Sequence, residues 1–141
     1  MSGWVKHRIR YLRNWRQYVE ALTKSIEELL PDTEVYVIGG AAEDRLTILS
    51  DIDVLIVVDE PLTIQQRRKI KADIIWNAEK HGFPWDYPVE IHIISRNELP
   101  QYLKHVKKLV PVKTKQAKHI KPQNNETLKA INYCIHTIES T

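Results

Sequence analysis

The chain has 141 residues, 43% hydrophobic and 28% charged, the proportions of one ordinary globular domain rather than of a disordered or fibrous chain. The single cysteine, Cys134, excludes an internal disulfide or a cysteine zinc site, and no apolar stretch is long enough to span a membrane, so the expected compartment is the cytoplasm. The net charge of +3 is unevenly spread: residues 1–30 hold six Lys/Arg against three acids, 101–141 hold eight Lys against two, and 31–100 hold thirteen acids against seven bases. The basic ends read as solvated faces of terminal helices, with nucleic acid as the functional alternative.

In chain order, residues 4–30 read as one amphipathic helix, because Tyr11, Leu12, Trp15, Tyr18, Val19, Leu22, Ile26, Leu29 and Leu30 recur at three- and four-residue spacing. Pro31-Asp32 stops it. The run Val35 to Ile38 reads as a buried strand ending at Gly39-Gly40, where the absence of a side chain lets a phosphate approach the backbone. Ala41 to Leu46 is expected to form a short helix whose N-terminus faces that phosphate. Asp51-Ile52-Asp53 then opens a second buried strand, Val54 to Val58. Side chains two apart on a strand share a face, so Asp51 and Asp53 project together, and two acids so placed call for a divalent cation.

After the turn Asp59-Glu60-Pro61, Leu62 to Lys80 reads as a helix with Ile64, Ile70, Ile74, Ile75 and Ala78 inward and Arg67, Arg68, Lys69 and Lys71 on the wet face. A third strand follows, Val89 to Ile94, with Glu90 and His92 on one face and Glu90 expected near Asp51 and Asp53. His92 has two readings, a group supporting the site or a structural histidine. Ser95 or Asn97 caps a helix running to about Lys108 through Leu99, Tyr102, Leu103 and Val106. Val110-Pro111-Val112 is too short to assign. Lys113 to Asn125 is polar and lysine-rich and reads as a linker, and Glu126 to Ile138 as a last amphipathic helix.

The pattern Gly39-Gly40, a spacer of ten residues ending in Ser50, Asp51-Ile52-Asp53, and Glu90 on a later strand resembles the signature of the DNA polymerase beta-type nucleotidyltransferases. In size the chain is most similar to the minimal nucleotidyltransferases, which often pair with and modify a HEPN-type toxin. Three positions depart from that pattern: Gly40 stands where serine is common, Ala41 where arginine is usual, and Asp44 where glycine is common. The resemblance implies an α/β (α+β) fold, a small mixed sheet packed with helices, flanked by N- and C-terminal helices. It covers roughly residues 34 to 95, and the chain as a whole reads as an N-terminal helix, 1–31, a nucleotidyltransferase domain, 32–112, and a linker with a C-terminal helix, 113–141.

The implied activity moves a nucleoside monophosphate, AMP from ATP above other triphosphates, to a protein or nucleic-acid acceptor. Asp51, Asp53 and Glu90 would be the catalytic and metal-holding residues for Mg²⁺ or Mn²⁺, and Glu90 would help deprotonate the acceptor. Gly39, Gly40, Arg45 and Ser50 would serve the triphosphate. The alternative is a weak or inactive relative that neutralises a partner by occlusion. The apolar face of the last helix must be buried, either by folding back on this domain or by docking on a second chain, and a dimer or heteromer is expected, with no membrane partner.

Overall fold

The computed structural model describes residues 2–114. The expected helix 126–138, Cys134 and the linker after Thr114 lie outside the described residues. Helix α1 spans Gly3–Arg13 and α2 spans Trp15–Leu29, so the single helix read from the sequence is two. The break is at Asn14, whose side-chain amide and backbone N–H both donate to the Arg10 carbonyl, at 3.0 and 3.2 Å. Asparagine offers the backbone this alternative to a continuous helix. Helix α2 buries Trp15, Val19, Leu22 and Ile26, the four-three-four spacing of one helical face.

Strands β1, Glu34–Ile38, β2, Ile52–Val58, β3, Val89–Ser95, and β4, Val110–Lys113, form one mixed sheet in the order β3-β2-β1-β4. β2 runs antiparallel to β1 and parallel to β3, and β4 is antiparallel to β1. The segment left unassigned in the sequence is therefore an edge strand, and Lys113, read as linker, is its last residue. Between β1 and β2, helix α3 is only Gly39–Ala42, not the longer Ala41–Leu46 helix expected. Asp44 ends it by adopting φ 59°, a left-handed conformation that no helix can continue through.

Helix α4, Ile64–Ala78, begins with a capping box in which Thr63 Oγ1 accepts from the Gln66 N–H and Gln66 Oε1 accepts from the Thr63 N–H. Ile74 and Ala78 are buried as expected, but Ile64 is 65% exposed. Arg67 is not on a wet face. Its guanidinium donates to the carbonyls of Leu62 and Ile93 and to Glu98, tying α4 to β3 and to the turn after it. That turn, Arg96–Glu98, leads into α5, Leu99–Leu103, five residues before the expected end at Lys108. The chain leaves the helix early because Leu109 is buried and the next residues pair with β1.

The sheet carries a core on each face. Val35, Val37, Ile52, Val54, Ile56, Ile91 and Ile93 pack with α1, α2 and α4 on the first. Tyr36, Ile38, Leu55, Val57 and Ile94 meet Leu99 and Leu103 of α5 on the second. Among the described residues, helices thus cover one face broadly and the other in part. On the second face Glu34 is buried with Arg96, 2.9 Å away, and Tyr36 donates to Glu34 at 2.9 Å. Asp59 completes the Arg96 pairing at 3.2 Å. A buried charge needs such compensation, and losing one partner commonly costs about 3–5 kcal/mol.

Three phenols add a pH dependence. Burial and then the neighbouring Asp86 push Tyr11 up to about 12. Burial followed by the Glu34 charge raises Tyr36, and burial followed by Tyr18 and Tyr11 raises Tyr87. The folded chain therefore holds these protons more tightly than the unfolded one, so their contribution is intact below an unfolded phenol's pKa of about 10 and is lost above it. The melting temperature is expected to stay level between about pH 7 and 9 and to fall by roughly 5–10 °C by pH 11. Calorimetry across that range checks this, and a flat profile would reject it.

Candidate active site

The site begins where β1 ends. Ile38 pairs with Asp53, and the next residue, Gly39, has φ 68°. A Cβ at Gly39 would collide with Asp53 Oδ2 and lie 3.3 Å from its Cγ. Glycine is required here twice over, for its backbone conformation and for the close approach of the carboxylate. Gly40 is different: a Cβ there would meet nothing closer than 3.6 Å, so the serine common at this position in the resembling family would fit.

Across the parallel pair, Asp53 stands opposite Glu90 and Leu55 opposite His92. Because β2 and β3 are in register, Asp53, Glu90 and His92 all point to the second face of the sheet. They lie at its end, beyond the part covered by α5. His92 Nε2 is 3.4 Å from Asp53 Oδ1 and 3.9 Å from Glu90 Oε1, so the imidazole sits between the two acids. Glu90 is 60% exposed at its side chain, while Asp53 and His92 are half-buried at 26% and 28%. Tyr102 of α5 closes one side, its ring 6.3 Å from that of His92. Burial, and after it the charges of Asp53 and Glu90, raise the Tyr102 phenol and keep it a neutral donor.

The donor set fits a divalent cation. One ligand atom from each of Asp53, Glu90 and His92 lies within 4.8 Å of the others. Two oxygens on opposite sides of a bound Mg²⁺ are about 4.2 Å apart, so side-chain rotation alone would bring these three onto one ion. Two carboxylates suit Mg²⁺ or Mn²⁺, and the imidazole shifts the preference towards Mn²⁺.

Asp51 is not one of this trio. It precedes β2, and its Oδ1 accepts from Arg8 Nη2 of α1 at 3.1 Å. The same guanidinium donates to the Ser50 carbonyl at 2.8 Å and, through Nε, to the Ile48 carbonyl. Ser50 Oγ accepts from the Thr47 N–H at 2.8 Å, so its hydroxyl closes the turn that presents Asp51. Arg45 is paired with Glu43 at 3.1 Å and is 63% exposed. The left-handed φ of Asp44 keeps the turn geometry that glycine would give.

Of the residues singled out in the sequence, Gly39, Asp53 and Glu90 are therefore brought together. Asp51 and the Ser50 carbonyl are held by Arg8, and Arg45 is engaged with Glu43. Three residues were not placed in the site by sequence. His92 had a partial signal, its position two residues after Glu90 on the same strand. Tyr102 read as one apolar residue of a helix, and Arg8 carried no local signal because its contact spans 43 residues.

A strand, a glycine pair and opposed strand-borne acids define the class of domains that transfer phosphoryl-containing groups. The chain belongs to the nucleotidyltransferase domain family, whose pattern it matches over residues 19–140. Two solved structures of candidate nucleotidyltransferases are similar to it. One shares 27% identity with a TM-score of 0.47, covering 67% of this chain and 97% of the other. The second, from Sulfolobus solfataricus, shares 18% identity with a TM-score of 0.48, covering 79% and 86%. No curated protein matches the chain.

Gly39→Ala is expected to cost about 1–2 kcal/mol, the strain of a left-handed non-glycine residue, and to displace Asp53. Gly40→Ser should leave stability within about 1 kcal/mol of the parent. Thermal melts with a Mn²⁺ titration check both, and Gly39→Ala retaining full stability and metal affinity would contradict the geometry.

Proposed function

We propose that the chain is a divalent-metal-dependent nucleotidyltransferase that moves AMP from ATP to a protein or nucleic-acid acceptor in the cytoplasm. The observation that carries this reading is the opposition of Asp53 and Glu90 across the parallel β2/β3 register, with His92 between them. Asp53 and Glu90, with Asp51 beside them, would hold Mg²⁺ or Mn²⁺. When bound, such ions neutralise the charge that builds on the transferring phosphoryl group and on the leaving pyrophosphate.

The remaining steps fall to the chain itself. Glu90, the most exposed acid of the trio, takes the proton of the acceptor hydroxyl as that oxygen attacks the α-phosphorus. The bond from the α-phosphorus to the β-bridging oxygen breaks, and pyrophosphate departs with its electron pair. His92 orients Asp53 and Glu90. The backbone N–H groups of Gly39 and Gly40 take the triphosphate, with Ser50 fixing the turn beside it. The acceptor suggested by the family resemblance is a HEPN-type toxin, which transfer of AMP would silence.

A second reading, neutralisation by occlusion, is favoured by Gly40 and Ala41, which supply neither the hydroxyl nor the guanidinium usual in the resembling family. Incubation with labelled ATP and a HEPN-type partner separates the two. The enzyme labels the partner, and the Asp51→Asn/Asp53→Asn double variant does not. An occluding subunit neutralises equally well with both aspartates replaced and with no label transferred.

Calorimetry should show ATP binding in Mg²⁺ with a dissociation constant on the order of 0.1–1 mM, about −4 to −5.5 kcal/mol, and none in EDTA. Equal binding without a divalent ion would reject the role of the acids. Asp53→Asn and Glu90→Gln should each reduce transfer by at least about 100-fold while leaving the metal-free melting temperature unchanged or raised, since each relieves clustered negative charge. A sharp drop in melting temperature would make these residues structural.

A further inference from the structure

We propose that Arg8 makes divalent-metal binding conditional on the nucleotide, by holding Asp51 and the loop before it in a pairing that disfavours a bare ion and favours a metal–triphosphate complex. This rests on the function proposed above. Arg8 lies on α1, before the residues 19–140 that match the family.

The helix is anchored rather than loosely apposed. Tyr11 and Leu12, one turn after Arg8, are buried in the first core, and Tyr11 donates to Asp86 at 2.9 Å. From that base the guanidinium makes three bonds to one short stretch: the carbonyls of Ile48 and Ser50 and the carboxylate of Asp51. The other ion-paired arginines are engaged elsewhere, Arg45 with Glu43, Arg67 with Glu98 and Arg96 with Glu34 and Asp59. Arg8 is thus the arginine, among the described residues, whose ion pair is with an acid of the site.

A carboxylate offers about four lone-pair positions, and Arg8 takes one on Oδ1, leaving Oδ2 for a cation. A fixed positive charge beside that oxygen repels a divalent ion arriving alone. It attracts the same ion carried on a triphosphate, whose net charge is negative. The sign of the Arg8 contribution therefore reverses with the nucleotide.

Arg8→Gln is expected to bind Mn²⁺ alone about tenfold more tightly than the parent and the Mn²⁺–ATP complex about tenfold more weakly. The free-Mn²⁺ electron paramagnetic resonance signal reads the first and calorimetry the second. Arg8→Lys, which keeps the charge but not the fork to the two carbonyls, should bind Mn²⁺ alone as weakly as the parent. A merely structural role would weaken both affinities in Arg8→Gln, and that result, or no change in either, overturns the inference while leaving the proposed function standing. Failure of parent and variants alike to bind Mn²⁺–ATP overturns the function and this inference together.

Discussion

Two carboxylates facing each other across a pair of parallel strands repel, and most features near the site serve to make that repulsion tolerable. Asp53 and Glu90 are set opposite by the β2/β3 register, which the long apolar runs of both strands fix. A one-residue slip would turn every buried side chain of β3 to the wrong face, so the strands cannot slide to separate the charges. The relief comes from around them. His92 stands between, Glu90 is open to water, and Asp51 is diverted to Arg8. Gly39 leaves room for the Asp53 carboxylate that any larger residue would occupy.

The two faces of the sheet divide the labour that this arrangement needs. The first face is sealed by α1, α2 and α4 and holds the larger core. Among the described residues the second is capped by the short α5 and Leu109, with the acid cluster on the same face. An α5 reaching Lys108, as its apolar spacing suggests, would have left only Leu109 to lead from the helix into β4. Its early stop both completes the sheet and sets the limit of the covered surface.

What could be read from the sequence was what depends on near neighbours. The runs at Val35–Ile38, Val54–Val58 and Val89–Ile94, the glycine pair, and Asp53 and Glu90 on one face are products of strand periodicity and turn chemistry. What could not be read depends on partners far along the chain. The helix break at Asn14 competes with a strong amphipathic pattern, and the pattern alone gives no sign of it. Arg67 sits in a basic cluster that reads as surface, yet it is bound to Ile93 and Glu98, 26 and 31 residues on. Val110–Lys113 is a strand only because β1 offers it an edge. Asp44 shows the reverse case, a residue that departs from the expected glycine while its backbone keeps glycine's conformation.

Among the described residues β4 is the outermost strand on its side of the sheet, and its second residue is Pro111. Proline has no N–H, so this margin lacks a donor that an incoming strand would need, and the register shift between Val35 and Tyr36 further disturbs its regularity. Exposed sheet margins are the usual templates for runaway polymerisation of misassembled chains. On this side the protein's own covalent chemistry guards against such growth, and Lys113 at the end of the strand adds a charge to the same margin.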